Sequence, residues 1–162
     1  MIINKLLLKM INYNAGDIKR ITHSIKVHQY AKLIGECENL NDETQFILES
    51  SAILHDIGIK NCEIKYNSTS GKLQEKEGPI VASEILTSLN YSKKYIEKIN
   101  HHISNHHSYN NIDSLSLQIL IEADFLVNLE EESSSKEVQN NVYNKIFKTK
   151  TGKELMKKIY GI

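Results

Sequence analysis

The residues best suited to chemistry in this sequence are histidines and aspartates that fall within apolar stretches. Asp124 follows Leu117, Leu120 and Ile121 at helical spacing, so it is expected on the face of a helix that packs against the core. A lone buried carboxylate is unfavourable unless a cation or several donors compensate its desolvation. The polar residues on the other apolar stripes are histidines, and clustered His and Asp side chains are typical ligands of a divalent metal. The pattern therefore favours a metal site over a buried pair with Lys or Arg.

His55 and Asp56 are sequence neighbours near the end of a predicted helix. Adjacent helical residues point about 100° apart, but imidazole and carboxylate can still flank one ion that lies beside the last turn. Gly58 would then free the chain to turn away. An isolated His-Asp pair is usually a solvated surface feature, so this dipeptide indicates a metal site only together with the other candidate ligands.

Two histidines on one helix compete for a place in the site. His23 is in line with Val27 and Ile34, whereas His28 has Ile25 beside it, so both have apolar neighbours. Five residues separate them by about 140° around a helix, so at most one belongs to a given site. The residues alone leave the choice open, and the other histidine is expected to be a satisfied core side chain.

The elements that must position these side chains are helices, because Pro79 is the single proline and alternating apolar and polar runs are almost absent. We predict an all-α single-domain helical bundle over residues 1–162, with helices within 136–162 packed on its core. The segment from Lys60 to Gly78 is polar and predicts a long loop, and Glu130 to Lys136 predicts a linker. Predicted helices run from Met1 to Ile11, from about Asp17 to Cys37, from Asn41 or Asp42 to just beyond Asp56, from Pro79 through Leu89, after Ser92, after Ser114, from Val138 to Phe147, and from Leu155 to Tyr160 with Thr151 and Glu154 as its capping box.

Composition excludes several function classes. Lys plus Arg and Asp plus Glu both number 20, so no basic field is available for polymeric nucleic acid. Cys37 and Cys62 are too few for a disulfide framework and lack zinc spacing, which indicates reduced thiols in a cytoplasmic protein. Polar residues interrupt the apolar N-terminus, so we expect no membrane partner. A homodimer is compatible with this composition.

The order of these residues resembles the signature of the HD superfamily. His23 in RITHSIKV, His55-Asp56 in AILHDIGI and Asp124 in EADFLVN reproduce its His, His-Asp, Asp pattern at similar spacing, over residues from about 17 to 130. The resemblance implies an HD-type fold in which His23, His55, Asp56 and Asp124 bind a divalent metal, one or two ions of Mn, Fe, Ni, Mg or Zn. It also implies that Asp56 could bridge two ions.

Some HD relatives bind a second ion with two further histidines. By resemblance the corresponding positions are Glu77, in EGPI, and His106, in SNHHSY. Glu77 could equally be a charge that stabilises the start of a helix at Pro79. His102 and His106 have the i, i+4 spacing of a two-histidine chelate, and we take His106 as the ligand and His102 as its support or alternative.

The resemblance implies a metal-dependent phosphohydrolase that acts on a nucleotide or another small phosphate ester. Asp56 or Glu77 would accept a proton from the attacking water, and Lys60 is the candidate electrostatic helper, although Ile59 stands where relatives often have that lysine. Lys65, Lys72 and His107 are candidate substrate contacts, each with the alternative of a solvated surface residue. The rival functions are an HD-type di-iron oxygenase, a metal-organised ligand-sensing module and a purely structural helical protein.

Overall fold

The structure is a computed structural model that describes residues 2–162, and these residues form helices and no strand. The all-α prediction is confirmed. Met1, included in the first predicted helix, lies outside the described residues. The helices are α1 (Ile2–Tyr13), α2 (Ile18–Cys37), α3 (Asp42–Leu54), α4 (Ile59–Tyr66), α5 (Gly71–Ser88), α6 (Lys93–Asn105), α7 (Leu115–Glu131), α8 (Lys136–Lys145) and α9 (Lys150–Tyr160).

Helix starts follow the capping residues that the sequence offers. The Asp17 side chain accepts a hydrogen bond from the backbone N of Arg20 at 3.1 Å at the start of α2. Ser114 does the same for the backbone N of Leu117 at 3.3 Å before α7. Such caps satisfy amide groups that have no partner within the helix, so these starts were predictable.

The largest difference from prediction is the segment 60–78, which is mostly helical. Its polar surface concealed α4, a short helix that buries one side chain, Cys62. Asn67 then ends α4 in the left-handed conformation, with φ of 47°. Helix α5 begins at Gly71, so Pro79 lies inside it and not in its first turn. A proline inside a helix costs one hydrogen bond, and the buried face of α5 on both sides of Pro79 offsets that cost.

The C-terminal helices also begin earlier than predicted. Helix α8 begins at Lys136 and α9 at Lys150. The cap of α9 is Thr149, whose Oγ1 accepts a hydrogen bond from the backbone N of Gly152 at 2.9 Å. The predicted capping box of Thr151 and Glu154 is therefore wrong, because buried contacts of Thr149 fix the start of this helix two residues earlier.

Helix α3 lies between two hydrophobic clusters. One joins α2, α3 and α7 through residues such as Val27, Leu48 and Leu120, and the C-terminal helices pack on it. The other joins α1, α3, α5 and α6 through residues such as Leu54 and Ile103. Helices from both clusters therefore approach the turn that follows α3. None of the described helices combines the length and apolar character needed to cross a membrane.

Candidate metal centre

His23 reaches the centre from α2, where it is buried. Its Nδ1 lies 2.8 Å from Glu131 Oε2 of α7. A carboxylate can only accept, so Nδ1 carries the proton and Nε2 presents a lone pair to the interior. A carboxylate behind an imidazole in this way fixes the tautomer and orientation of metal-binding histidines.

His55 and Asp56 lie in the turn between α3 and α4. His55 is fully buried, and its Nδ1 donates to the carbonyl of Ala52 at 2.8 Å, which leaves Nε2 as the acceptor. The turn is held close to α5, because a Cβ at Gly58 would lie 2.5 Å from the backbone N of Gly78. Gly58 has an ordinary φ of −75°, so it is needed for this close approach and not for the change of direction that the sequence suggested.

Asp124 completes the group from α7. Its Oδ1 lies 3.2 Å from His23 Nε2 and 3.5 Å from His55 Nε2. The two Nε2 atoms are 3.2 Å apart, and Asp56 Oδ2 lies 3.3 Å from the Nε2 of His23 and 3.4 Å from that of His55. Each imidazole Nε2 thus lies within 3.5 Å of one oxygen from each carboxylate.

The charges of this group are strongly interdependent. Burial alone would lower the pKa of His55, but Asp56 and Asp124 outweigh burial and raise it well above the ordinary value. Burial likewise opposes ionisation of Asp124, yet His23 and His55 hold the pKa of that carboxyl below its usual range. The carboxylates therefore stay ionised and demand positive charge at this point, whether from protons or from a cation.

A fifth side chain approaches the other oxygen of Asp56. His106, at the end of α6, donates from Nδ1 to the carbonyl of Ile103 at 2.7 Å. Its buried Nε2 lies 3.5 Å from Asp56 Oδ1, and within residues 2–162 it has no hydrogen-bond partner. Asp56 therefore presents one oxygen to the His23 side and the other to His106.

Comparison with known proteins agrees with this geometry. The model of the HD domain family matches residues 20–137. The chain belongs to the HD domain family. Its fold is similar to the 1.45 Å crystal structure of a predicted HD superfamily hydrolase from an uncultured Thermotogales bacterium, with a TM-score of 0.71 and 19% identity, covering 98% of this chain and 84% of that chain. No curated protein matches the chain.

Membership relates the chain to metal-dependent hydrolases, and its donor set fits a divalent ion. The two Nε2 atoms lie 3.2 to 3.5 Å from each other and from the carboxylate oxygens, and such acceptor atoms would repel one another without a cation or protons between them. Imidazole nitrogen and carboxylate oxygen suit Mn, Fe, Ni or Zn, so the group does not select one of these metals.

His102 was predicted to support His106 or to replace it as a ligand, but the structure pairs it with two serines. Its Nδ1 lies 2.9 Å from Ser51 Oγ and its Nε2 lies 3.1 Å from Ser116 Oγ. Ser51 Oγ donates to the carbonyl of Ile47, so it accepts from Nδ1, and Ser116 donates to Nε2. Burial lowers the pKa of His102 to about 4. The ring is a neutral, fully paired core histidine, and the structure does not offer either nitrogen to a metal.

Glu77 is buried, but its carboxylate contacts side chains of α4. Lys65 Nζ lies 2.7 Å from its Oε2, and the Tyr66 hydroxyl donates to Oε1 at 2.9 Å. Its hydrogen bonds to Lys65 and Tyr66 hold the pKa of this carboxyl below its usual value. Glu77 is also not a solvated charge at a helix start, since α5 begins six residues earlier.

The three predicted lysines either contact other residues or are exposed. Lys60 donates to the carbonyl of Tyr13 at 3.2 Å and lies over the Tyr13 ring. Lys65 is engaged by Glu77, and Lys72 is exposed on α5. His107 is partly buried beside His106, and burial lowers its pKa to about 4.

The opening of the site contains residues that the sequence reasoning missed. A cavity of about 220 Å³ leads to His23 and Asp56. Lys19 and Arg20 precede His23 by about one helical turn, and Asn128 and Glu131 follow Asp124 at i+4 and i+7, so helical spacing from the two ligands could have found them. The cavity is lined by Lys19, Arg20, His23, Asp56, Asn128 and Glu131.

Proposed function

We propose that this HD domain is a metal-dependent phosphohydrolase that hydrolyses a nucleotide or another small phosphate ester. One observation carries the proposal: the Nε2 atoms of His23 and His55 lie 3.2 Å apart, and each lies 3.2 to 3.5 Å from Asp56 Oδ2 and from Asp124 Oδ1. The hydrogen-bonded Nδ1 atoms of both histidines leave acceptors only, which suits a cation. When bound, a divalent ion would lower the pKa of a water and polarise a phosphoryl oxygen.

The chain's own residues would bind and orient the substrate. Lys19 and Arg20 supply positive charge at the rim of the cavity, and Arg20 is steadied by ion pairs with Asp17 and Glu63. A phosphate group held there would lie beside Asp56. The volume of about 220 Å³ suits a phosphoryl group with part of its leaving group and not a nucleic acid polymer.

Asp56 is the candidate proton acceptor. Its side chain is 20% exposed, whereas His23, His55 and Asp124 are at most 9% exposed, so Asp56 is the ligand that meets solvent in the cavity. Glu77 is engaged by Lys65 and Tyr66, which makes it less suited to this role. Asn128 donates to Asp124 Oδ1 at 2.9 Å and keeps that carboxylate oriented.

The test is a panel of nucleotides and simple phosphate esters, assayed with Mn, Ni, Mg or Fe after metal analysis of the purified protein. We expect turnover that requires metal and disappears in His55→Ala and Asp124→Ala while the helical signal in circular dichroism is retained. His101→Ala is the control, because His101 is exposed and pairs with Asp113 at 2.7 Å outside the centre. If none of these metals binds to the protein, the proposal is wrong.

A di-iron oxygenase is a second candidate, favoured by the position of His106 beside Asp56. It predicts tightly held iron and oxygen consumption with an organic substrate. Metal binding without either activity would instead support a ligand-sensing module. Phosphate release and oxygen uptake therefore separate the three functions.

A further inference from the structure

We propose that an open cavity beside His107 binds the leaving group of the substrate and selects the phosphate ester of a sugar or another polyhydroxylated alcohol. The inference rests on the proposed hydrolysis of a phosphate ester and names the alcohol that is released. One water is consumed, the bond between phosphorus and the ester oxygen breaks, and that oxygen leaves with a proton from the water. The cavity, of about 500 Å³, is lined by Asn105, His107, Ser108, Tyr109, Asn110 and Asn111.

This cavity, here called the leaving-group cavity, lies next to the metal centre. A ring nitrogen of His107 and a carboxylate oxygen of Asp56 lie within 4.8 Å of each other. Asp56 also lines the cavity of about 220 Å³ that has Lys19 and Arg20 at its rim. A small ester with its phosphoryl group beside these two cations would therefore extend its alcohol portion past Asp56 toward His107.

The two cavities differ in charge. Lys19 and Arg20 make the smaller one suited to a phosphate group. In the leaving-group cavity, the three asparagines, the serine and the tyrosine carry no charge at neutral pH. An uncharged group that has its own hydrogen-bonding atoms therefore fits this cavity better than a second phosphate or a carboxylate does.

Amide and hydroxyl side chains make up most of the lining. An asparagine amide both donates and accepts, and so does each hydroxyl group of a sugar. Asn110 and Asn111 are exposed, so their amides are available to a ligand. The amide nitrogen of Asn105 donates to the carbonyl of His101 at 2.7 Å, which leaves its oxygen as an acceptor. The lining therefore matches a ligand that carries several hydroxyl groups.

The aromatic surface of the leaving-group cavity is small. The Tyr109 residue is 40% exposed, and its ring packs against Phe125 with 5.3 Å between centroids. The His107 ring is partly covered by His106, with 3.9 Å between centroids. Pockets for flat heteroaromatic ligands are lined mainly by apolar and aromatic side chains. A sugar has less apolar surface than a nucleobase, so one exposed phenol ring among amides suits the sugar better.

Helix α5 holds the wall of the leaving-group cavity in place. Glu75 Oε1 accepts from the backbone N of His107 at 3.1 Å and from the Ser108 hydroxyl at 3.0 Å. The Gln74 amide nitrogen donates to the carbonyl of Thr69 at 2.7 Å, so the Gln74 oxygen faces His107 Nε2 at 3.0 Å. A wall that is already ordered loses little conformational freedom when a ligand binds.

The first test compares ribose 5-phosphate and glucose 6-phosphate with adenosine 5′-monophosphate, all esters of primary alcohols, in the presence of the most active metal. We expect at least one sugar phosphate to have a higher kcat/KM than the nucleotide. For ribose 5-phosphate, removal of one hydroxyl in 2-deoxyribose 5-phosphate should lower kcat/KM about 3- to 10-fold. A nucleotide hydrolysed with a higher kcat/KM than both sugar phosphates would overturn the inference and keep the phosphohydrolase.

The second test uses Asn110→Ala and Asn111→Ala, with Asn140→Ala on α8 as the matched control. All three asparagines are exposed, so we expect each variant to fold. The measured quantity is kcat/KM for the preferred sugar phosphate divided by kcat/KM for methyl phosphate, which has no hydroxyl group. Loss of one hydrogen bond should lower this ratio about 3- to 10-fold in each cavity variant and leave it unchanged in Asn140→Ala. An unchanged ratio in both cavity variants would contradict the inference.

The third test measures binding without turnover. Saturation-transfer NMR with Mg²⁺ and the full chain uses ribose, glucose and adenine as separate probes. We expect transfer to a sugar that is lost when Asn110→Ala and Asn111→Ala are combined. Transfer to adenine alone, or to none of the probes, would show that the inference is wrong. Sugar binding that depends on the two asparagines, with no phosphate ester hydrolysed, would keep the leaving-group cavity as a sugar site and reject the phosphohydrolase.

Discussion

Helix α7 carries two buried carboxylates that are satisfied in opposite ways. Glu122 and Asp124 are two residues apart and so point about 200° apart around the helix. Glu122 receives hydrogen bonds from the Gln118 amide, from the backbone N atoms of Lys148 and Thr149, and from the Thr149 hydroxyl, at 2.5 to 2.9 Å. Asp124 instead faces His23 and His55, whose Nε2 atoms are acceptors in their neutral form.

The difference separates a structural carboxylate from a functional one. The chain itself supplies every partner of the Glu122 cluster, defined here as Glu122, Gln118, Lys148 and Thr149, and this cluster fixes the turn before α9. The metal centre instead needs positive charge beside its carboxylates, either as protons on the histidines or as a cation. A buried polar group whose own chain does not supply all of its partners is a better guide to function than burial alone.

The largest expected effect comes from Glu122→Ala. Removing this carboxylate takes the acceptor from four hydrogen bonds, three of them buried, so we expect the free energy of unfolding to fall by about 3–5 kcal/mol. Urea denaturation followed by circular dichroism measures the change. Mn²⁺ stoichiometry of the folded fraction should stay that of the wild type, and a loss below about 1 kcal/mol would contradict the structural role.

His102 and His106 repeat the contrast one turn apart on α6. His102 is paired on both sides by serines, and burial lowers its pKa from 6.5 to about 4. Between pH 6.5 and pH 4, His102 is therefore protonated in the unfolded chain and neutral in the folded chain. The contribution of His102 to stability is present above pH 6.5 and is lost as the pH falls toward 4, by about 3 kcal/mol in total.

The matched variant is His102→Gln, which can still donate to Ser51 and accept from Ser116 without a charge. In metal-free protein, we expect the drop in unfolding free energy between pH 7 and pH 4 to be about 3 kcal/mol smaller than in the wild type. Denaturant titrations at both pH values measure it. Identical acid sensitivity in the two proteins would show that His102 is not the group that titrates.

Asp124→Asn tests the metal-binding carboxylate of this comparison. Metal that binds the folded chain alone stabilises it by about 2.7 kcal/mol at a hundredfold excess over its dissociation constant. We expect Mn²⁺ to raise the melting temperature of the wild type and to leave that of Asp124→Asn unchanged. Glu122→Gln is the control on the opposite side of α7, and it should keep the metal-induced shift even though its melting temperature is lower.

The order of ligands along the chain was predictable, but their supports were not. A His, His-Asp, Asp pattern on apolar stripes indicates a buried cluster, and the structure brings His23, His55, Asp56 and Asp124 together. The supports are long-range. Helical spacing places Glu131 on the same face of α7 as Asp124, but it does not identify His23, 108 residues away, as the partner of Glu131.

Prediction failed where surface composition concealed a helix. Lysines, serines and glycines in 60–78 indicated a loop, yet Cys62 anchors α4 and places Lys65 against Glu77. Without α4 the sequence could not reveal that Glu77 has both oxygens engaged. His102 was misplaced for a similar reason, because its partners Ser51 and Ser116 are 51 and 14 residues away.

The smallest expected effect tests the choice between His23 and His28, which helical periodicity left open. His28 Nε2 lies 2.9 Å from Glu49 Oε2 between α2 and α3, so a carboxylate of the same chain already satisfies this histidine. His28→Gln can still donate to Glu49, and we expect a stability change of about 1 kcal/mol with metal binding intact. His23→Gln should lose metal binding because the amide cannot replace an imidazole that is held by Glu131. Calorimetric titration of both variants with Mn²⁺ decides the matter: if His28→Gln lost the metal and His23→Gln kept it, the centre would be misassigned.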